Sequence, residues 1–225
     1  LVKGYSIAIN LALIPLTLHL LDDYKYGVWI TLFNVLSWIS IFDIGIGNGL
    51  RNKFTESIAK GKVKEAQEYV STGYVILGAI ALALILLFIV PWMVLDWSKI
   101  FNVKQELASE ISILVGISFL LLCMQFGLKL INTVLIADHK PALSALLMSL
   151  SNTLILLTFI VGKKYMEDNL IAIGVVYSGI PIVVLALLSI ILFSGKYRNV
   201  KPKLKLYKQD KVKDLFSLGI QFFII

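Results

Sequence analysis

Two charged side chains, Asp43 and Lys129, lie deep inside apolar stretches of this sequence and are the first candidates for chemistry. Each lies about seven residues before the end of its stretch, 28–50 or 111–136, and therefore about 10 Å from that end of a helix. A charge within a membrane costs about 2.5–3.5 kcal/mol and tends to face a partner or a wet cavity. We therefore hypothesise that Asp43 and Lys129 pair or share a polar cavity. The alternative is that Asp43 caps a helix end and Lys129 snorkels to the interface.

Uncharged polar residues accompany these charges. At about 100° per residue, Gln125 and Asn132 share a face with Lys129, and Asn34 and Asn48 share a face of the earlier stretch. Such stripes face water or other helices, and they serve either as a substrate path or as interhelical hydrogen bonds worth about 0.6 kcal/mol each. The candidates for a substrate path are Asn34, Asp43, Asn48, Arg51, Gln125, Lys129 and Asn132.

Three glycines, Gly45, Gly47 and Gly49, follow Asp43 closely. Each weakens a helix by up to about 1 kcal/mol, and Gly45 with Gly49 forms a small-xxx-small pair that permits close helix contact. We expect either a tightly packed neighbour here or a helix that bends during a conformational cycle.

The composition indicates that membrane helices position these residues. The chain has 225 residues, of which 58% are hydrophobic and 16% charged, whereas globular domains are about 45–50% apolar and 25% charged. Six runs approach the roughly 20 residues that span a bilayer as a helix, too long for membrane β-strands of about 9–11 residues. They cover residues 5–21, 28–50, 69–95, 111–136, 142–161 and 171–193, and a seventh begins near Leu215.

The basic residues give these runs an orientation. Of the 21 lysines and arginines, about fifteen lie at the N-terminus and in the even connections, and about five lie in the odd ones. This bias places the N-terminus and the even connections in the cytoplasm. The same distribution argues against a nucleic-acid partner, although the net charge is +7. One cysteine and two distant histidines predict no metal site and no cofactor.

Several segments resemble one family of transporters. They are Ile14-Pro15-Leu16-Thr17, Tyr26-Gly27-Val28-Trp29, Trp38-Ile39-Ser40-Ile41-Phe42-Asp43-Ile44-Gly45-Ile46-Gly47-Asn48-Gly49-Leu50-Arg51-Asn52-Lys53, Ala59-Lys60-Gly61, Leu130-Ile131-Asn132-Thr133 and Ala137-Asp138-His139-Lys140-Pro141-Ala142. Through these segments the chain resembles the oligosaccharide flippase (Wzx-like) family of polysaccharide biosynthesis proteins. That family belongs to the multidrug/oligosaccharidyl-lipid/polysaccharide exporter superfamily.

The resemblance implies an all-α, polytopic membrane protein with two six-helix lobes in a MATE-like arrangement. Residues 1–195 would form the N-terminal lobe, 196–214 a basic cytoplasmic linker and 215–225 the start of helix seven, so we expect a fragment of a longer protein. Alternating access would move lipid-linked oligosaccharide for polysaccharide, O-antigen or capsule synthesis across the bacterial inner membrane.

The implied partners are membrane lipid, an undecaprenyl-pyrophosphate-linked oligosaccharide, and a polymerase with other polysaccharide assembly proteins. Arg51 and Lys129 are the positions that would hold the pyrophosphate, although Arg51 also suits a topology residue.

Two other functions remain open at this stage. A cation-coupled multidrug exporter of the same superfamily commonly carries an acidic residue in its first helix, whereas the first run here has only His19 as a charge-capable residue. A membrane-embedded enzyme of cell-envelope synthesis would need an acid/base pair or a phosphate loop. We find neither in the sequence and predict that the protein is not an enzyme.

Overall fold

The computed structural model describes the backbone of residues 2–39 and 45–224 and the side chains of residues 4–39 and 45–217. Those residues are helical and contain no β-strand, as predicted. The helices are α1 (Val2–Leu20), α2 (Asp23–Ser37), α3 (Ile46–Ala59), α4 (Val63–Val94), α5 (Trp97–Ile100), α6 (Ala108–Leu128), α7 (Leu130–Ala137), α8 (Pro141–Val161), α9 (Lys163–Met166), α10 (Leu170–Ser194) and α11 (Gln209–Ile224).

Four apolar helical segments are long enough to cross a membrane, and they match the third to sixth predicted runs. They are Val63–Val94, Gln105–Ala137, Pro141–Val161 and Leu170–Ser194. The first run is a shorter apolar helix, Gly4–Leu20. The second run includes Asp43, which lies outside the described residues; α2 ends before that gap and α3 begins after it. The predicted class, an all-α polytopic membrane protein, is confirmed.

The fourth run is not one uninterrupted α-helix. It divides at Lys129 into α6 and α7, and the Asn132 amide donates to the Lys129 carbonyl at 2.9 Å. A bond to the third residue back tightens the turn relative to an α-helix. The residues on either side of Lys129 therefore do not follow a single 100° progression.

The helix ends follow local backbone chemistry. The connection from α7 to α8 turns at His139, whose φ is 57°, and the Lys140 amide donates to the Leu135 carbonyl at 2.8 Å. This is a left-handed helix end of the Schellman type. Pro141 then begins α8, where its missing N–H costs nothing. Gly61, with φ 70°, ends α3 in the same way.

The contacts divide the chain into two compact units. The first unit comprises Leu1–Ile39, Leu84–Met124 and Ala145–Val184, and the second comprises Ser40–Ala83, Gln125–Ser144 and Leu185–Ile225. The predicted division into a lobe, a linker and the start of a second lobe stays a prediction. Helix α11 begins at Gln209, earlier than the expected start near Leu215.

The first unit has an apolar core with a polar seam between α1 and α8. Leu32, Ile111 and Phe159 are fully buried in the core. Along the seam, three pairs of side chains are hydrogen-bonded: Tyr5 with Thr153 at 3.0 Å, Ser6 with Ser149, and Asn10 with Asn152 at 2.9 Å. These bonds satisfy polar groups that would otherwise lie unpaired in an apolar helix.

The second unit is built on α3, which packs against both α7 and α11. A Cβ atom at Gly49 would overlap the backbone carbonyl of Leu215 on α11, so only glycine permits this approach. The expected close neighbour of the glycine-rich stretch is therefore α11. Gly45 has φ 73° and stands as the N-cap of α3, so the chain turns there before the helix begins.

Candidate functional site

One face of α3 carries a row of polar side chains. The pairs Asn48/Arg51 and Asn52/Thr55 are three residues apart, and Asn48/Asn52 and Arg51/Thr55 are four apart, which places all four on a common face. Asn48 and Arg51 are exposed. The opposite side of the helix is apolar and includes the buried Leu50, so packing fixes which face α3 presents.

Two contacts place α7 beside this face. The Thr55 hydroxyl donates to the Ala137 carbonyl at 3.1 Å. Near the other end, the Leu130 and Leu50 side chains both lie within 3.5 Å of the Cβ position at Gly73. The two helices therefore run parallel, with Leu50 level with Leu130 and Thr55 level with Ala137.

This register brings two predicted residues to one level. Asn48 lies just before Leu50 on α3, and Lys129 lies just before Leu130 on α7, so the two positions fall within about one helical turn of each other along the helix pair. The Lys129 side chain is exposed.

A cavity of about 390 Å³ lies at the C-terminal ends of α3 and α7. Its lining residues are Arg51, Asn52, Thr55, Glu56, Ile136, Ala137 and His139. The Arg51 guanidinium offers five N–H donors in a planar fork, and the Asn52 amide and the His139 imidazole add further donors. Such a donor set suits an anion with several oxygens, such as a phosphate or a carboxylate.

The one acid in the lining, Glu56, is neutralised by its own helix. Its carboxylate accepts from Lys60 at 2.5 Å and from Lys53 at 3.4 Å. These two hydrogen bonds, Lys60 first, hold the pKa of Glu56 below its usual value. Among the described residues, Arg51 has no acidic partner, so its positive charge remains available to a ligand in the cavity.

Asp138 fixes the turn that carries His139. Its Oδ2 accepts from Lys196 at 2.6 Å and from Tyr197 at 2.7 Å, and Lys140 lies 3.3 Å away. Burial alone would raise the pKa of Asp138, but the hydrogen bonds from Lys196 and Tyr197 outweigh it and lower that pKa. Asp138 thus ties the end of α7 to the segment after α10 and acts as a positioning residue for the cavity wall.

The part of the chain that matches a known family includes every residue that lines this cavity. The family model MatE matches residues 6–161, which is more than half of the chain. The chain belongs to the MatE family. MatE proteins are membrane transporters, not enzymes, of the multidrug/oligosaccharidyl-lipid/polysaccharide exporter superfamily. No curated protein and no solved structure gave a significant match to the chain.

The other predicted residues of this MatE protein lie in different surroundings. Asn34 is exposed on α2 in the first unit. Gln125 is half-buried on α6 in the second unit, and Asn132 is half-buried on α7, where its Oδ1 has no hydrogen-bond partner among the described residues. Asp43 lies outside the described residues, so its pairing with Lys129 stays a hypothesis.

The sequence analysis missed Asn52, Thr55 and His139. The spacing of Asn52 and Thr55 from Arg51 would have revealed the first two, because it continues the polar face of α3 beyond the predicted end of the span. His139 had no such signal, since it reaches the cavity only through the packing of α7 against α3.

A second cavity, of about 210 Å³, lies within the first unit. Its lining residues are Asn10, Leu13, Ile14, Thr17, Tyr26, Trp29 and Tyr177, none of which carries a formal charge at neutral pH. Three aromatic rings and an amide make it a neutral site, in contrast with the Arg51 cavity. It offers no group that would bind an anion strongly.

Proposed function

We propose that this MatE protein is a flippase that moves a lipid-linked oligosaccharide across the bacterial inner membrane by alternating access. The observation that carries the proposal is the Arg51 cavity, where the guanidinium has no acidic partner among the described residues and lies beside further donors from Asn52 and His139. By the charge bias of the sequence, the C-terminal end of α3 is on the cytoplasmic side, where such a substrate is made.

The chemistry of the cavity favours an anionic headgroup. The diphosphate of an undecaprenyl carrier presents several oxygens, which match the fork of Arg51 and the donors of Asn52 and His139. A cationic drug would meet Arg51 as a like charge, with Glu56 already engaged by two lysines. The cavity therefore supports the flippase over the cation-coupled multidrug exporter.

A path for the headgroup follows from the register of α3 and α7. Asn48 and Lys129 lie about seven residues before Thr55 and Ile136, or about 10 Å along the helix pair. We propose Lys129 as the second cationic position, with Asn48, Asn132 and Gln125 as polar groups along the way. Gly45 and Gly47 would allow the start of α3 to move as the path opens.

The remaining expectations belong to the same proposal. A second lobe would begin with α11, and the substrate would pass between the two lobes. A polymerase and other polysaccharide assembly proteins would receive the flipped oligosaccharide. These partners are proposed because such a lipid-linked product must be extended or transferred after it crosses the membrane.

The experiment is a deletion strain complemented with variants. We expect the strain to accumulate the complete lipid-linked oligosaccharide in the inner leaflet, and the wild-type gene but not Arg51→Gln to relieve it. Accumulation of an incomplete sugar unit would instead indicate an enzyme. Increased drug sensitivity with normal glycans would indicate a multidrug exporter, and either result would overturn the proposal.

A further inference from the structure

The segment between α10 and α11, residues 195–208 and here called the strap, is hydrogen-bonded to α4 at Lys201, Lys203 and Lys208. The Gln67 amide donates to the Lys201 carbonyl at 2.8 Å. The backbone amides of Lys203 and Lys208 donate to the hydroxyls of Ser71 and Thr72, each at 3.1 Å. All three α4 side chains are buried. The strap is therefore packed against α4 as part of the second unit.

A buried ion cluster anchors the end of the strap to the same part of α4. Lys211, in the first turn of α11, is 7% exposed. Its Nζ lies 3.5 Å from Glu68, 3.7 Å from Glu65 and 4.0 Å from the centre of the Tyr69 ring. Tyr69 also donates to Asp214 at 2.8 Å. The position of the strap is thus fixed at both ends of its contact with α4.

The length of α4 sets the depth of the strap. With 32 residues at about 1.5 Å each, α4 is about 48 Å long, whereas the hydrocarbon core is about 30 Å thick. The excess belongs at the N-terminal end of α4, because its polar residues lie within residues 63–72 and an apolar run follows. The strap contacts residues 67–72 and therefore lies at the level of the lipid headgroups.

With its backbone turned to α4, the strap directs its lysines outward. Four of them are exposed and have no acidic partner among the described residues: Lys201, Lys203, Lys205 and Lys208. Between them, Leu204 is 83% exposed and Tyr207 is 41% exposed. Lysines that flank exposed apolar side chains at headgroup depth are typical of binding to an anionic membrane surface.

The turn between α3 and α4 also carries lysines on the cytoplasmic side, but two of them, Lys60 and Lys62, form ion pairs. Lys60 pairs with Glu56 at 2.5 Å, and Lys62 pairs with Glu65 at 3.4 Å. The charges of these two lysines are therefore compensated within the protein. The positive-inside rule accounts for lysines in both places. It does not account for the four strap lysines, Lys201, Lys203, Lys205 and Lys208, that have no acidic partner in the part of the chain that the structure describes.

An apolar cavity of about 170 Å³ adjoins the strap. Its lining residues are Tyr74, Ser189, Ile190, Phe193, Ser194, Lys201 and Pro202. Lys201 contributes the one charged group, while Ile190 and Phe193 supply apolar surface below it in the membrane part of α10. A phospholipid has this arrangement of parts, with a charged headgroup above an acyl chain.

We propose that the strap and this cavity form a binding site for an anionic phospholipid of the cytoplasmic leaflet. The headgroup phosphate binds Lys201 and its neighbouring strap lysines, an acyl chain lies against Ile190 and Phe193, and Leu204 enters the interface. The site is separate from the Arg51 cavity, and it does not depend on the proposed flippase substrate.

The test places an environment-sensitive fluorophore on Leu204→Cys in the whole protein, reconstituted in phosphatidylcholine nanodiscs with increasing phosphatidylglycerol. The native Cys123 is buried, and the wild-type protein gives the labelling blank. We expect a saturable blue shift with phosphatidylglycerol. At about fivefold in affinity per lysine, Lys203→Gln with Lys205→Gln should raise the half-saturating fraction at least tenfold.

The control is Lys60→Gln with Lys62→Gln, which removes the same charge from the paired connection and should leave the titration unchanged. An emission that is independent of phosphatidylglycerol would overturn the proposal. The proposal would also be overturned if the control pair raised the half-saturating fraction as much as Lys203→Gln with Lys205→Gln. The same is true if inorganic phosphate produced the same blue shift in pure phosphatidylcholine.

Discussion

Arg51 is available to a ligand because the charges around it are already paired. Glu56, one turn further along α3, is shared by Lys53 and Lys60, and Arg51 has no acidic partner among the described residues. His139 adds a donor from the turn after α7, where Asp138 holds the backbone in place through Lys196 and Tyr197. The candidate site thus combines the Arg51 cation, which lacks an acidic partner in the part of the chain that the structure describes, with further donors from Asn52 and His139.

Replacement of Arg51 by glutamine should weaken binding of a diphosphate lipid about 10- to 100-fold, because hydrogen bonds to charged groups contribute about 1.5–3 kcal/mol. Arg51→Lys should recover part of the loss, since it keeps the charge but not the planar fork. Lys64→Gln is the matched control, because Lys64 is exposed and has no ion pair among the described residues. Binding of the purified variants to a lipid-linked diphosphate checks this, and an equal loss in Lys64→Gln would contradict it.

Asp138 should make the protein pH-sensitive in acid. Its pKa is lowered in the folded state, so its stabilising contribution is present above the ordinary aspartate value of about 3.9 and is lost as the pH falls through the lowered pKa. The Tm of the wild type should therefore exceed that of Asp138→Asn at neutral pH, and the gap should close below about pH 4. A gap that stays constant across this range would contradict the role given to Asp138.

The hypothesis that Asp43 and Lys129 pair or share a polar cavity has its own test. We expect Asp43→Asn and Lys129→Gln each to reduce transport, because either change leaves the other charge uncompensated within the membrane. The measurement is complementation of the deletion strain at matched expression. Full complementation by both variants would contradict the hypothesis.

At the scale of the elements, α3 and α7 form the candidate site because they pack in parallel. The sequence singled out Lys129 as a charge inside an apolar run and Arg51 through the family resemblance, and both roles stay predictions. It predicted the membrane helices from length and composition. It could not predict the break at Lys129, because a single tightened turn has no signature in hydropathy. It also missed His139 and the docked strap, since both depend on contacts between residues far apart in the chain.

The contact of α3 with α11 depends on Gly49. A Cβ at that position would overlap the Leu215 carbonyl, so Gly49→Ala should destabilise the protein by about 1–3 kcal/mol through overpacking. Gly78→Ala is the matched control, because a Cβ there has nothing within 4 Å and alanine favours helix. Thermal unfolding in detergent compares the two variants, and equal Tm values would show that α11 does not approach α3 in this way.

At the scale of the whole molecule, two of the cavities of this MatE transporter differ in charge. The Arg51 cavity in the second unit suits an anion, while the cavity lined by Tyr26, Trp29 and Tyr177 in the first unit is neutral and aromatic. A transporter of lipid-linked oligosaccharides needs to bind a charged diphosphate, whereas an exporter of cationic drugs gains nothing from a free guanidinium. Charge selectivity is therefore the property that separates the two functions.

The most direct measurement of that selectivity is transport by the full-length protein in proteoliposomes. We predict that it translocates a fluorescent undecaprenyl-diphosphate-linked sugar between leaflets, and that Arg51→Gln abolishes this movement while Lys64→Gln preserves it. Ion-gradient-driven uptake of a cationic drug, with no movement of the lipid-linked sugar, would contradict the account.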